Sequence, residues 1–304
     1  MTSLILGKNG CGKTSVLEAI YISTCGKSFR AVDKEIVKRG EEFYKIELDY
    51  QNGERTCVTY GDNKKQFFVG DKKFGRLPKK YKYPVVLFLP DDLSLIKSSP
   101  SHKRDYFDRV FAQLNDGYNN ALSRYNKALK QRNELLKAEV VSRDMIFSWN
   151  ILLAKYGAVI SEFRKNIISQ INLRLTNVYR TIAENTDVVE IKYETESSNE
   201  SENLRRLEKD FERDRIVGHT GFGIHKDDYE FVFNNASANG SASRGEVRSI
   251  VLALKFIEAD LITEISQKRP IVLLDDVFSE LDDKRQKCLV KNFKENQVII
   301  TSVE

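Results

Sequence analysis

The sequence has no long apolar run, and none of its hydrophobic stretches approaches the roughly 20 residues that a membrane-spanning helix requires. Its first residues do not form the pattern of a secretory signal peptide. Cysteine is scarce, and the few that occur show neither a disulfide framework nor the spacing of a zinc site. They are Cys11, Cys25, Cys57 and Cys288. We therefore expect a cytoplasmic protein with reduced thiols, without structural zinc and without membrane contact.

A strong excess of one charge is also missing. The chain carries 49 basic and 44 acidic residues, a net charge of +5, which is too small to indicate nucleic-acid binding by itself. At 304 residues the chain is long enough for two domains, and its 41% hydrophobic content is typical of a globular protein. The distribution of charge along the chain is more informative than its sum.

Residues 7 to 14 match the phosphate-loop pattern G-x-x-x-x-G-K-[ST] without a mismatch. An apolar run precedes them, and residues 15 to 20 continue with apolar side chains at helical spacing. A strand, a glycine turn and a helix start place backbone N–H groups and the positive end of a helix dipole around one anion. The sequence therefore predicts a nucleotide site. Its predicted contacts are Gly7, Asn9, Gly10, Gly12, Lys13, Thr14 and Ser15.

Two side chains of this loop have predicted chemical roles. Lys13 supplies a point charge for the β- and γ-phosphates, and the Thr14 hydroxyl is placed to ligate Mg²⁺.

A pair of carboxylates ends a second apolar run, at residues 271 to 276. We expect Asp275 to hold Mg²⁺ opposite Thr14 through water, and Asp276 to orient and deprotonate the attacking water. A further apolar run ends in Thr301 and Ser302. Such strand ends collect on the edge of an α/β sheet where ligands bind, so Thr301 is a further predicted nucleotide contact. The alternative is that the Asp pair merely caps a helix.

Between these motifs, residues 43 to 77 have the alternation of antiparallel strands, with a hairpin signal at Asn52-Gly53. Residues 64 to 82 contain eight cations and one acid, with phenylalanines interleaved. This basic strip either follows a phosphate backbone or protects a strand edge from pairing, and the sequence leaves both interpretations open. A continuous apolar run at residues 84 to 89 predicts a buried strand.

Residues 101 to 185 contain no proline and have apolar residues at helical spacing. We predict two long helices broken near Glu139 to Arg143, which form a separate helical lobe. A strand is expected at Asp187 to Glu194 and a mobile loop at Ser197 to Glu202.

Ser243-Arg244-Gly245-Glu246 opens a predicted helix that runs to about Glu264. Along the chain the phosphate loop comes first, this helix start second and the Asp pair third. This combination resembles the motif set of ATP-binding-cassette ATPases. In those proteins the signature helix of one subunit covers the nucleotide held by the other. The resemblance implies that Ser243 and Gly245 contact the γ-phosphate of ATP across a homodimer.

The chain as a whole resembles the RecF family of bacterial recombination-repair ATPases, which are related to SMC proteins. The matching segments are residues 7–20, 88–93, 103–108, 125–136, 149–157, 223–228 and 274–282. The resemblance implies an ATP-dependent, nucleoid-associated protein that dimerises on ATP and binds DNA at gaps or junctions. It also implies that the protein works with RecR and RecO to load RecA.

Some positions depart from the family pattern. Arg244 replaces a usual glutamine, while Ile224 and Lys226 replace proline and arginine. Family members begin with additional strands, whereas only Met1-Thr2-Ser3 precede Leu4 here, so we expect either a miscalled gene start or a trimmed lineage. For His225, beside Asp227 and Asp228, we favour a structural or interface role over a metal or catalytic one. Lys226 is a second candidate for DNA contact.

The predicted fold is an α/β ATP-binding-cassette ATPase lobe, residues 1–98 and 250–304, with an inserted helical lobe, residues 99–249, that carries the signature. The predicted activity is a weak DNA-stimulated ATPase using ATP and Mg²⁺, with Lys13, Asp276 and Ser243 as catalytic residues. One alternative is an ATP-gated DNA scaffold with negligible hydrolysis, because Asp276 is one methylene shorter than the usual glutamate. A transporter subunit is a third interpretation, against which the helical lobe argues.

Overall fold

The computed structural model describes residues 1–51 and 53–303. The chain forms two compact units. Unit 1 consists of Met1–Pro90 and Ala259–Glu304, and unit 2 consists of Asp91–Glu258. The sequence placed the divisions near residues 98 and 249, and the assignment of an ATPase lobe and a signature lobe stays a prediction.

Strands dominate the first part of unit 1, and helices dominate the segment that follows it. The first part of unit 1 contains β1 (Thr2–Leu6), α1 (Lys13–Cys25), α2 (Asp33–Ile36), β2 (Tyr44–Asp49), β3 (Arg55–Gly61), β4 (Lys64–Val69), β5 (Lys72–Phe74) and β6 (Val85–Phe88). The following residues form α3 (Pro100–Leu114), α4 (Asp116–Leu136), α5 (Arg143–Ala183), β7 (Val189–Glu194), α6 (Glu200–Lys209), α7 (Phe211–Val217), β8 (Asp228–Phe233), β9 (Ala236–Ser237) and α8 (Ala238–Ser241). The last part contains α9 (Arg244–Ser266), β10 (Ile271–Asp275), α10 (Asp283–Asn292) and β11 (Val298–Ser302). Short 3-10 helices lie at Lys79–Tyr81, Pro90–Lys97, Ile224–Lys226 and Phe278–Glu280.

A parallel sheet in the order β1-β11-β10-β6 is the framework of unit 1. The strands β6, β10 and β11 are short apolar runs and are buried along almost their whole length, as expected of a parallel sheet that is covered by helices, whereas alternate residues of the edge strand β1 are exposed. The helix α1 packs against β6, β10 and β11. The buried core that they share comprises Leu17, Tyr21, Val85, Leu87, Ile271, Leu273 and Ile299. The predicted α/β class is confirmed, and the carboxyl ends of β1, β10 and β11 come together at one edge of the sheet.

A second sheet in unit 1 is antiparallel, in the order β2-β3-β4-β5. The predicted antiparallel strands are confirmed, whereas Asn52 of the predicted hairpin signal lies outside the described residues. Alternate residues of β3 and β4 face a core with α1, as period-two alternation requires. This core comprises Ile22, Val58, Phe67, Val69 and Leu77. The strand β5 forms one edge of the sheet, and two lysines of the basic strip lie on it.

Unit 2 is mainly helical, and the prediction of two long helices was wrong in their number. Three are present, because Asn115 interrupts the first with an extended backbone at φ −149° and its side chain accepts a bond from the Tyr118 N–H. Asn115 thus caps α4, as asparagine commonly does. The predicted break between residues 139 and 143 is confirmed, since α4 ends at Leu136 and α5 begins at Arg143.

The mobile loop predicted at Ser197 to Glu202 was also wrong. The helix α6 begins at Glu200, with Asn199 as its cap, and Ser197 is buried. Asparagine followed three residues later by glutamate is a helix-start signal, which the polar composition of the stretch concealed. The strand predicted at Asp187 to Glu194 is confirmed as β7, which pairs with β8.

None of the helices in the described part of the chain combines the length and the apolar character that a membrane span needs.

Candidate functional site

The phosphate-loop sequence joins β1 to α1 as a turn with a left-handed backbone. Gly10 has φ +80° and Gly12 has φ +99°, backbone angles that residues with a side chain rarely adopt and that glycine adopts freely. Gly12 is also the first flanking residue of α1, and no described side chain caps this helix start. The first-turn N–H groups are therefore available to an anion. The Gly7 N–H is bonded to the Ser302 carbonyl at the end of β11.

The Lys13 side chain folds back over this loop. Its Nζ donates to the Gly7 carbonyl at 2.8 Å and to the Lys8 carbonyl at 3.2 Å, and the residue is only 6% exposed. Because a buried ammonium needs compensation, the loop carbonyls hold the charge at the centre of the turn. The positive charge therefore lies among the backbone groups that would surround a phosphate.

The Thr14 and Asp275 side chains meet, although 261 positions separate them in the sequence. The Thr14 Oγ1 donates to the Asp275 Oδ1 at 2.9 Å, and the Thr301 Oγ1 donates to the same oxygen at 2.8 Å. The parallel pairing of β10 with β11 sets Asp275 beside Thr301. A hydroxyl and a carboxylate are the hard oxygen ligands that Mg²⁺ prefers, so the donor set of Thr14 and Asp275 fits this ion.

Asp276 lies in a left-handed backbone conformation, with φ +51°. Its N–H donates to the Thr301 Oγ1 at 3.0 Å. Its Oδ1 is buried and has no hydrogen-bond partner among the described residues. Since a buried carboxylate oxygen needs a partner, this atom is suited to hold a water or another ligand atom in the site.

The alternative that the Asp pair caps a helix does not match the contacts. The next α-helix, α10, is capped by Asp282, whose carboxylate accepts from the Arg285 N–H at 2.9 Å. No described side chain caps the intervening 3-10 helix. The Asp275 carboxylate instead has its contacts with Thr14 and Thr301 at the sheet edge.

One feature next to the loop escaped the sequence analysis. Glu18 is 2% exposed on α1, and its carboxylate accepts from the Ser28 hydroxyl at 2.5 Å and the Arg30 Nε at 2.9 Å. Arg30 also donates to the Ser15 Oγ at 3.4 Å, and a cavity of about 490 Å³ opens beside this cluster. The sequence did contain a signal for this cluster. Glu18 follows Leu17 on the apolar face of the predicted helix, and an acid in such a position needs a cationic or hydroxyl partner.

The signature residues belong to unit 2, where they start α9. The Ser243 N–H donates to the Glu246 Oε2 at 2.6 Å, and the Glu246 N–H donates to the Ser243 Oγ at 3.3 Å. This reciprocal arrangement is a capping box, and it fixes the start of the helix. Ser243 is exposed at that start, and the predicted helix is confirmed.

Similar proteins with curated names belong to one family. The DNA replication and repair protein RecF of Clostridium acetobutylicum is 33% identical over 310 residues, covering 98% of this chain and 85% of the relative. The same protein of Clostridium novyi is 34% identical over 314 residues, covering 98% and 86%. The chain belongs to the RecF family. A broader family model, described as AAA domain, putative AbiEii toxin, Type IV TA system, matches residues 3–302.

A solved structure of the recombination mediator protein RecF-ATP in the RecFOR pathway has the same fold. It matches with a TM-score of 0.87 at 29% identity, over 100% of this chain and 86% of that chain. The RecF resemblance stated from the motifs is thus confirmed.

Three residues of the RecF motifs in unit 2, Asp108, Arg132 and Asp227, take part in buried ionic networks. Arg164 is 1% exposed and pairs with Asp108 through two bonds of 2.8 and 3.0 Å, and with Asp227 at 2.9 Å. Arg132 is fully buried and donates to Asp214 at 2.8 Å. Buried arginines are stable only when their charge and donors are compensated, so these motif residues have structural roles, as partners of Arg164 and Asp214 from outside the motifs.

The imidazole of His225 in unit 2 is held by two hydrogen bonds, one on each ring nitrogen. Its Nε2 faces the Thr220 carbonyl at 3.0 Å and therefore donates, which leaves Nδ1 to accept from the Tyr125 hydroxyl at 2.8 Å. Burial lowers the pKa of the imidazole from 6.5 to about 4, with Lys226 and Arg104 adding to the shift and Asp214 opposing it. These contacts favour the structural role that the sequence indicated.

The first prediction concerns His225 and pH. Because its pKa is lower in the folded state, the unfolded chain takes up the proton first as the pH falls. The stability that this group contributes is therefore intact above pH 6.5 and lost towards pH 4, by about 1.4 kcal/mol per pH unit. Denaturant unfolding of wild type and His225→Gln should give free energies that converge as the pH falls. A difference that does not change with pH would contradict the neutral, buried imidazole.

Proposed function

We propose that this protein is an ATP-dependent DNA-binding protein of recombinational repair that dimerises on ATP at gaps or junctions in DNA. It would help to load RecA together with RecO and RecR, and it would act in the cytoplasm at the nucleoid. The observation that carries the proposal is the hydrogen bond between Thr14 and Asp275, which joins the phosphate loop to the acidic strand end. Membership of the RecF family and the likeness to RecF-ATP support it.

The proposed chemistry is positioning and charge stabilisation. The loop N–H groups and Lys13 would bind the β- and γ-phosphates, with Gly7, Asn9, Gly10, Gly12 and Ser15 completing the cradle. Thr14 and Asp275 would hold Mg²⁺, which neutralises charge on the phosphate oxygens when bound. Asp276 would orient the attacking water through its unpartnered Oδ1 and accept a proton from it.

Ser243 and Gly245 would complete the site in the partner subunit. Ser243 lies exposed at the N-terminus of α9, where the helix dipole favours an anion. Its hydroxyl accepts the Glu246 N–H and keeps its own proton for a γ-phosphate oxygen. We propose that unit 1 is the nucleotide lobe and unit 2 the signature lobe of this dimer.

A second candidate function, an ATP-gated scaffold with negligible hydrolysis, rests on the short side chain of Asp276. Phosphate release by the wild-type chain, measured with and without gapped duplex DNA, separates the two. Turnover that rises on addition of DNA supports the ATPase. ATP-dependent DNA binding without phosphate release supports the scaffold, and absence of ATP binding would refute both.

The proposed DNA path is the basic strip, defined as Lys64, Lys65, Lys72, Lys73, Arg76, Lys79, Lys80 and Lys82. Lys72 and Lys73 are exposed on the edge strand β5, and the Lys73 ammonium lies 5.8 Å from the centre of the Phe68 ring. Lys65 is paired with Asp33 at 2.6 Å and is a structural member of the strip. Phe67 lies in the core and Phe74 packs against it, so these two rings are not available to stack on bases, and phosphate contact by the lysines is the interaction expected here.

The second prediction tests this path. Neutralising Lys72, Lys73 and Lys79 to glutamine should weaken binding of gapped DNA and make the slope of log affinity against log salt shallower by about two to three, because fewer counterions are released. Fluorescence anisotropy at several salt concentrations measures both quantities.

The matched control neutralises three exposed lysines at and after α10, Lys287, Lys291 and Lys294. It removes the same charge and should leave the salt slope near the wild-type value. If the strip variant keeps both its affinity and its slope, the lysines only protect the strand edge, and the path of DNA lies elsewhere, with Lys226 as the next candidate.

A further inference from the structure

The hydroxyl of Thr301 contacts both members of the Asp pair from the neighbouring strand. Thr301 is 0% exposed in β11, and the strand register sets it beside Asp275. Its Oγ1 lies 2.8 Å from the Asp275 Oδ1 and 3.3 Å from the Leu274 carbonyl oxygen. A hydroxyl has one proton, and the shorter contact to the charged oxygen is the stronger bond. The lone pairs of the same Oγ1 accept the Asp276 N–H at 3.0 Å.

These two bonds act on different parts of the site. The Asp275 Oδ1 receives the Thr301 proton on one side and the Thr14 proton at 2.9 Å on the other, so the carboxylate is held between the strand β11 and the start of α1. The bond from the Asp276 N–H stabilises a left-handed backbone at φ +51°, which costs a non-glycine residue about 1 kcal/mol or more. That backbone turn determines where the unpartnered Oδ1 of Asp276 lies.

We propose that Thr301 is a positioning residue, which sets the Asp275 carboxylate for Mg²⁺ and presents the Asp276 side chain to the attacking water. The inference rests on the proposed ATPase function. It replaces the direct nucleotide contact predicted from the sequence with an indirect role. The hydroxyl is fully buried, it donates its one proton to Asp275, and it accepts a hydrogen bond from the Asp276 N–H. It therefore has no proton left to donate to a nucleotide.

The test compares Thr301→Val with Thr301→Ser. Valine keeps the shape and removes the hydroxyl, whereas serine keeps the hydroxyl and loses one methyl group. Thr301→Val should lower the ATP turnover number by about 10- to 100-fold and raise the Mg²⁺ concentration needed for tight ATP binding by a similar factor. Thr301→Ser should retain most of both. Turnover is measured by phosphate release, and ATP binding by calorimetry across a Mg²⁺ titration.

Thr24→Val is the matched control for loss of a buried hydroxyl. Thr24 is also 0% exposed, and its Oγ1 donates to the Ile20 carbonyl at 2.8 Å within α1, away from the carboxylates. Both valine variants should lose a similar amount of thermal stability without nucleotide, but only Thr301→Val should change the Mg²⁺ dependence.

Two results would overturn the inference alone: a Thr301→Val chain with wild-type Mg²⁺ dependence and turnover, or a Thr301→Ser chain as impaired as Thr301→Val. A wild-type chain that binds no ATP would instead overturn the proposed function, and this inference with it.

Discussion

Replacing Lys13 with alanine should weaken ATP binding on the order of a hundredfold and abolish ATP-dependent dimerisation. The reason is the position of the ammonium, which is buried in the phosphate loop and held by the Gly7 and Lys8 carbonyls. Those carbonyls would face phosphate oxygens without an intervening cation in the variant, and repulsion would replace attraction. Calorimetry measures the affinity, and sedimentation with and without ATP measures the dimer.

The control for this prediction is Lys27→Ala, which removes an exposed lysine shortly after the end of the same helix. It should bind ATP and dimerise as wild type does. Circular dichroism should show both variants folded. ATP affinity unchanged in a folded Lys13→Ala chain would refute the assignment of the loop.

The nucleotide side of the molecule could be predicted from the sequence because its signals are local. The phosphate loop needs left-handed glycines at fixed positions before a helix start, and Gly10 and Gly12 occupy them. The apolar runs that became β6, β10 and β11 are short and continuous, as in a covered parallel sheet. A strand that ends in two carboxylates was therefore expected to approach the loop, and Asp275 bonds Thr14.

The order of the strands could not be obtained in this way. Pairing of β11 between β1 and β10 brings Thr301 to Asp275, and these residues are 26 positions apart with a helix between them. No local signal distinguishes a hydroxyl that faces a ligand from one that lies behind a carboxylate. The meeting of these side chains at one sheet edge was therefore predictable, and the contacts that Thr301 makes there were not.

Unit 2 was less predictable for a different reason. Its helix break at Asn115 and the start of α6 at Glu200 depend on single capping residues inside long polar or helical stretches. The buried arginines Arg132 and Arg164 carry no sign of burial in the sequence, since their partners come from distant segments. The resemblance to a family marked Arg132 but not Arg164, and the contacts now give the physical reason for the burial of both.

Mixing two inactive variants should restore phosphate release that neither variant shows alone. If each ATP lies between Lys13 of one subunit and Ser243 of the other, Lys13→Ala and Ser243→Arg each inactivate both sites of their own homodimer. The Ser243→Arg chain should still bind ATP as a monomer, because its phosphate loop is intact. The bulky cation at the start of α9 would prevent closure over the partner's nucleotide.

In a mixed dimer the two sites carry different numbers of substitutions. Each of the two equivalent sites of a two-fold dimer takes its phosphate loop from one subunit and its signature from the other. One site combines both substitutions, whereas the other pairs an intact Lys13 with an intact Ser243. Because neither variant should dimerise with itself, the dimers that form on ATP should be mixed, and equal mixing should restore DNA-stimulated phosphate release to at most about half of the wild-type rate if the sites act independently. Lys27→Ala mixed with Ser243→Arg serves as the reference for dilution by an active chain. No recovery in samples where cross-linking detects mixed dimers would mean that each site is built within one chain, or that both sites must be intact for either to turn over.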